Sequence, residues 1–248
     1  MFLENREIRN INATIYYTYI KSGDEALFEA LATDERVPSP RRERIAAITA
    51  PTVRTQTAAL TALAGEALAR WGCENIPPAD STAGILFHKG VGFCELTPCD
   101  CCRLPSAWPI GAHGKPFPDG VDTPRGRAYL SLSHSEGHVV AAVASVPIGV
   151  DVQTATPVAQ RDWERLDTRI RHESEAPSAD MTAFLRRWAA KEAAVKCTGE
   201  GLSRSLNTLI VRESGVYTAD GAVLGGLWQG EKNGASLALV FRVLPREV

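Results

Sequence analysis

The sequence predicts an α+β protein, and three observations carry that expectation. Residues 11–20 are dense in β-branched and aromatic types, the composition of an opening strand. From about Thr52 to Trp71, apolar residues return at helical spacing (Leu60, Leu63, Ala67, Leu68, Trp71), with Gly72 placed to stop the helix. Beyond residue 128 short alternating runs give way to two helical stretches and then to short alternating runs again. Strand, helix and strand content therefore occurs in each half of the chain, which is compatible with an α+β fold in each half.

Along the chain, Pro38 and Pro40 precede a basic cluster, Arg41-Arg42-Glu43-Arg44. Residues 73–125 are broken by Pro and Gly and read as loop-rich. Strands are expected at about 129–133 and 138–146, joined by a tight turn at His134-Ser135-Glu136-Gly137. A strand at Ile148-Gly149-Val150-Asp151-Val152-Gln153 follows, then helices near 158–171 and 180–198, the second closed by Gly199 as its C-terminal cap. Strands near 207–212, 215–219 and 236–243 finish the chain. No repeat or low-complexity segment stands out.

Composition narrows the function classes. A chain of 248 residues is long enough for one large domain or two lobes with a substantial core. The net charge of −2 argues against bulk attraction to nucleic acid or to an anionic membrane. No apolar run approaches the roughly eighteen residues that span a bilayer. Met1 and the residues after it lack the basic and apolar regions of a secretion signal, so a cytoplasmic protein is expected. There the six cysteines would be reduced thiols. Cys94, Cys99, Cys101 and Cys102 bunch together, but adjacent cysteines ligate one zinc ion poorly, and free thiols are the expectation.

The chemistry-bearing residues lie on two elements. In the strand 148–153, Ile148, Val150 and Val152 alternate toward a core, while Gly149, Asp151 and Gln153 face the other way. Asp is depleted in strands and costly beside a core, so Asp151 marks a site more readily than a scaffold position. On the helix, Trp188, Glu192 and Lys196 recur every four residues and share one face. If strand and helix meet, Asp151, Gln153 and Glu192 form an oxygen-rich pocket with a lysine on its rim, suited to a hard divalent cation and a phosphate chain.

Four short motifs stand in order: Gly114-Lys115-Pro116, then Leu130-Ser131-Leu132-Ser133-His134-Ser135, then Ile148-Gly149-Val150-Asp151-Val152-Gln153, then Trp188-Ala189-Ala190-Lys191-Glu192-Ala193-Ala194-Val195-Lys196. In this order and spacing the chain resembles the 4'-phosphopantetheinyl transferases of the larger, monomeric type, whose motifs run G-[KR]-P, [FN]-x-S-H-S, G-[IV]-D-x-E and [FW]-x-x-K-E-[AS]-x-x-K. The resemblance covers residues 114–202 and thins outside them. It implies two α+β lobes related by pseudo-twofold symmetry, here 1–147 and 148–248, with the active site between them. It implies transfer of the 4'-phosphopantetheine arm of coenzyme A to a serine of an apo acyl or peptidyl carrier protein, releasing adenosine 3',5'-bisphosphate. The implied cofactor is Mg²⁺, with Mn²⁺ as the alternative ion. Asp151, Glu192 and Gln153 would hold the metal. Glu192 would also take the serine proton, and Lys196 would meet the pyrophosphate. Ser133 and His134 would contact phosphates, Lys115 and Pro116 the region of the adenine, and Arg42 the 3'-phosphate.

The chain departs from the family in two places. Gln153 stands where many members have Glu, bringing an amide oxygen without a charge. The Arg that usually precedes the Leu-rich stretch of the first long helix has no counterpart, and Thr61 and Ala62 stand near its place. A further acid after the Asp strand could be Glu173 or Glu175. Two alternative functions are carried forward. One is a degenerate relative that binds coenzyme A or carrier proteins without transfer. The other is a metallohydrolase using His134, His138 and Asp151.

Overall fold

The computed structural model describes residues 13–21, 24–26, 30, 33–35, 37–72, 85–89 and 108–242. The cysteine cluster from Cys94 to Cys102 lies outside the described residues. The first sheet contains β1 (Ala13–Tyr19), β2 (Ile85–Lys89), β3 (Val121–Thr123), β4 (Gly126–Ser135) and β5 (His138–Ala144), in the order β2-β1-β5-β4-β3. Helices α1 (Ser39–Ala46) and α2 (Pro51–Gly72) lie between its first two strands. The second sheet contains β6 (Ile148–Gln153), β7 (Leu209–Arg212), β8 (Gly215–Thr218), β9 (Val223–Lys232) and β10 (Ala235–Phe241), in the order β6-β10-β9-β8-β7. Helices α3 (Pro157–Ile170) and α4 (Met181–Thr198) intervene between β6 and β7. Among the described residues only β1 and β2 pair in parallel; the other pairings are antiparallel.

The two sheets share a winding rule. Each opens with a strand, passes through helices, and meanders back until its last strand pairs with its first, β5 with β1 and β10 with β6. The α+β class expected from the sequence is what the structure has.

Four layers result, helix on sheet on sheet on helix. Val140, Ala142 and Ile15 of one sheet meet Val150, Val152, Leu237 and Leu239 of the other in a shared core. The alternate residues Val139, Ala141 and Val143 point oppositely and pack on Ala58, Leu63 and Ala67 of α2. Ala189, Ala190, Ala193 and Ala194 of α4 cover Ala238 and Val240. With both faces covered, β5 and β10 are buried at every position, so polar alternation is absent from them. Each large aliphatic side chain so enclosed contributes roughly 1.5–3 kcal/mol.

Several local expectations are met with small corrections. Gly199 closes α4 in the left-handed conformation at φ 78°, donating its amide to Val195 O. The turn after β4 is tighter than expected: only Glu136 and Gly137 leave the strands, with φ of 45° and 83°, the two positive values of a primed hairpin turn. The loop-rich reading of 73–125 missed β2 and β3. Strand β9 was not expected either, because Gly225, Gly226 and Gly230 interrupt its pattern. Packing explains them: a Cβ on Gly225 would sit 2.7 Å from Phe241 O, and Gly226 lies beneath the Phe241 ring.

Candidate active site

Helix α4 crosses β6, and the contact is made possible by one glycine. A Cβ at Gly149 would overlap the Ala193 carbonyl and the Cys197 amide, so only Gly lets helix and strand approach this closely. Gly149 and Asp151 share the strand face that α4 covers, while Ile148, Val150 and Val152 enter the core between sheets, as the alternation predicts.

Asp151 is 3% exposed and surrounded by donors. Lys196 Nζ lies 2.6 Å from its Oδ1, and the Ser133 hydroxyl donates to the same oxygen at 2.7 Å. Gln153 Nε2 donates to Oδ2 at 2.8 Å. Lys196 also donates to Ser133 Oγ at 2.9 Å, and the Val152 amide reaches that oxygen at 3.3 Å. One hydroxyl thus gives its proton to Asp151 and accepts from a lysine and a backbone amide, which uses its full hydrogen-bonding capacity. Lys196, taken from the sequence as a residue on the rim, is bonded directly to the acid.

Glu192 lies one helical turn before Lys196, and Trp188 Nε1 donates to its Oε1 at 3.4 Å. Burial pushes the Glu192 carboxyl above the usual range, the Asp151 charge adds to this, and Lys196 opposes it. A carboxylate pushed upward by burial and by a neighbouring carboxylate is relieved by a cation bound nearby. Among the described residues no group of three or more His, Cys, Asp and Glu side chains could hold a metal ion. Two carboxylates with an adjacent amide nevertheless suit Mg²⁺, which commonly takes one or two protein carboxylates and completes its shell with water and phosphate.

Two adjoining cavities open on this cluster. The larger, about 530 Å³, is bordered by Arg41, Arg44, Trp108, His134, Asp151 and Lys196. The smaller, about 200 Å³, is bordered by His113, Lys115, Glu192 and Lys196 among others. Both are lined by Pro116 and Leu132.

Arg41 is 8% exposed. Its Nε donates to Thr61 Oγ1 at 2.9 Å, and its guanidinium stacks 4.8 Å from the centre of the Trp108 ring. Burial, with the neighbouring Arg44 charge, pushes its pKa down to about 10. Among the described residues no carboxylate is bonded to it, and it brings a buried cation to the border of the larger cavity. Arg42, singled out from the sequence, does not border either cavity. Helical geometry is the reason: positions 41 and 44 lie near one face of α1, and 42 is rotated away.

The remaining sequence candidates divide clearly. His134 stands at the mouth of the larger cavity, and desolvation followed by the Lys196 charge holds its imidazole below the ordinary range. Lys115 Nζ donates to Cys197 O at 3.1 Å and Ile148 O at 3.3 Å, tying the Gly114-Lys115-Pro116 segment to the end of α4. Glu175 is not part of the cluster; it accepts from Lys191 Nζ at 2.6 Å and from the Val211 amide at 2.8 Å. Glu173 is exposed. Lys191 is fully buried and also donates to Ile170 O and Leu209 O, anchoring the far side of α4. His138 accompanies Tyr17, whose hydroxyl lies 2.9 Å from its Nδ1. The strand register sets His134 opposite Val139 and His138 opposite Ser135, so the two histidines face opposite sides of the sheet. The convergent pair that a metallohydrolase would need does not form.

Sequence reasoning chose Arg42 rather than Arg41 from the basic cluster, and missed Trp108 and the hydroxyls of Ser131 and Ser135. The serines carried a signal, since 131, 133 and 135 share one strand face. Trp108 carried none, because its place depends on a distant helix.

Fold and site together define a two-lobed α+β protein whose cleft joins paired carboxylates to an arginine- and lysine-lined cavity. Residues 147–237 match the family model described as the 4'-phosphopantetheinyl transferase superfamily, in agreement with the resemblance read from the motifs. The chain is 32% identical over 89 residues to the 4'-phosphopantetheinyl transferase psf-1 of Bacillus pumilus, covering 35% of this chain and 38% of that protein. It is 32% identical over 104 residues to the transferase Sfp of Bacillus subtilis strain 168, covering 40% and 44%. Identity to the transferase gsp of Aneurinibacillus migulanus is 26% over 109 residues, covering 43% and 44%. The matches thus span less than half the length of these relatives. Among the described residues no helix is long and apolar enough to cross a membrane.

Proposed function

We propose that this protein transfers the 4'-phosphopantetheine arm of coenzyme A to a serine hydroxyl of an apo acyl or peptidyl carrier protein. The observation that carries the reading is the Asp151, Lys196 and Ser133 cluster beside Glu192, opening on the cavity that Arg41 and Arg44 line. Coenzyme A is a polyanion, and the buried Arg41 guanidinium, to which no carboxylate among the described residues is bonded, favours a phosphate. We place the substrate between two lobes meeting near residue 147, with His134 at the phosphates and Lys115 and Pro116 near the adenine.

In the reaction the serine Oγ forms a bond to the β-phosphorus, and the bond from that phosphorus to the bridging oxygen of adenosine 3',5'-bisphosphate breaks. Glu192 accepts the serine proton; its raised affinity for protons suits that task. Lys196 can turn from Asp151 to the departing phosphate and offset the charge that develops there. Asp151 and Glu192 would hold Mg²⁺, with Gln153 turning its amide oxygen toward it. That ion supplies charge neutralisation on the pyrophosphate when bound. Positioning and charge compensation are what such a transfer requires of a protein. The enzyme is proposed to act as a cytoplasmic monomer.

The test is intact mass of a panel of apo carrier proteins after incubation with the protein, coenzyme A and Mg²⁺. A gain of one phosphopantetheine arm, abolished by EDTA, is expected. Coenzyme A binding without any gain on any carrier would favour the degenerate binder, and neither binding nor gain would overturn the reading.

A further inference from the structure

Strand β6 is an edge strand. It pairs with β10 on one side, and on the other no strand among the described residues accepts its outward amides. Val150 and Val152 are fully buried, so unpaired amides there would be costly. The chain answers with side chains. The Val150 amide donates to Ser131 Oγ at 2.9 Å and the Val152 amide to Ser133 Oγ at 3.3 Å. A third rung joins the hydroxyls of Ser135 and Thr154 at 2.8 Å. Every rung spans the same 19 positions of sequence, so β4 and β6 advance in step. Three alternate serines on one strand replace the backbone ladder that would otherwise join the two sheets.

We infer that Ser131 is a positioning residue, the rung of an inter-lobe hydroxyl clamp that sets where Asp151 meets Lys196. Ser133 touches Asp151 and Lys196 and belongs to the site itself. Ser131 bonds to neither; its hydroxyl acts on Asp151 only through the Val150 amide, one residue away. Asp151 lies between the two clamped amides, so both ends of its peptide segment are held from the opposite lobe. The cluster combines residues of both lobes, and it keeps its geometry only if β6 does not slide along β4. The kinetic part of this inference rests on the proposed transfer reaction; the structural part does not.

The test uses the full chain with Ser131→Ala and with Ser131→Cys, which keeps the volume of the side chain but is a poor acceptor. Ser131→Thr, which keeps the hydroxyl, serves as the rescue. Loss of the acceptor is expected to speed hydrogen exchange at the Val150 amide by about tenfold or more, as an unpaired buried donor implies. The Asp151 carboxyl ¹³C resonance, which reports its contacts with Ser133 and Lys196, should move in both variants and return in Ser131→Thr. The turnover number should fall about tenfold with KM for coenzyme A within about threefold, the signature of a misplaced catalytic group rather than lost binding. Unchanged exchange in both variants would overturn the clamp. Faster exchange with an unmoved Asp151 resonance would overturn the positioning role. Should the wild type transfer no arm, exchange and the carboxyl resonance still decide the clamp, and the transfer reading alone fails.

Discussion

Lys196 Nζ and Asp151 Oδ1 lie 2.6 Å apart, and this ion pair joins the last turn of α4 to the face of β6. The acid is buried, while the lysine side chain keeps 30% of its surface exposed. Such a pair can open toward a ligand without uncovering the acid.

Removing the cation should therefore cost both stability and turnover. Lys196→Met leaves Asp151 without its charged partner, and a loss of about 1–2 kcal/mol is expected, below the range for fully buried pairs because the lysine is partly solvated. Asp151→Asn in that background should recover stability but not transfer. Urea unfolding of the two single variants and the double variant closes the cycle; additive losses would mean that the pair contributes nothing.

Arg41 should dominate recognition of the anion. Arg41→Gln is expected to weaken coenzyme A binding by about tenfold or more, with a smaller effect of Arg42→Gln, as judged by calorimetry. The reverse order would show that the helical face has been misjudged.

Gly149 should tolerate no side chain. Gly149→Ala drives a methyl into the Ala193 carbonyl and the Cys197 amide, both backbone groups that cannot rotate away. A loss of about 3 kcal/mol is expected, the upper range for overpacking, together with lost transfer as α4 lifts from β6. A melting temperature near that of the wild type would refute the close contact.

Gln153→Glu replaces the amide donor on Asp151 Oδ2 with a second negative charge. Without divalent cation the variant should melt below the wild type, and added Mg²⁺ should raise its melting temperature further than it raises that of the wild type. Equal shifts would separate Gln153 from the metal.

Burial holds the His138 imidazole below its ordinary pKa. The unfolded chain then binds a proton near pH 6.5 that the folded protein refuses until lower pH. Stability from this group is intact above about pH 6.5 and declines as pH falls toward the folded value, by up to about 1.4 kcal/mol for each unit of depression. His134 is depressed in the same direction, so the informative quantity is the difference between the wild type and His138→Gln. That variant should lose less stability between pH 7.5 and 5.5; an identical loss would exclude His138 as the source.

Much of the site was legible because it depends on short-range geometry. The spacing of Trp188, Glu192 and Lys196 placed them on one face of α4, and alternation along 148–153 turned Asp151 away from the core. Those periods are properties of helix and strand and need no tertiary information. Gly199 announced the end of α4 for the same reason: a left-handed cap favours glycine wherever it occurs.

What the chain could not disclose locally, its tertiary packing decided. Arg41 rather than Arg42 borders the cavity because of how α1 rolls against α2 and Trp108. Glu175 looked like a candidate ligand until the fold set it against Lys191 and Val211. Ser131 read as one residue of the strand expected at about 129–133, and it became a rung only when β4 met the open edge of β6. The sequence by itself determined the class of fold, the elements carrying the chemistry and the family pattern of residues 114–202. Only the tertiary structure decided which charges meet, because a contact between residues 45 positions apart, as for Asp151 and Lys196, is set by packing of whole layers and leaves no period in the chain.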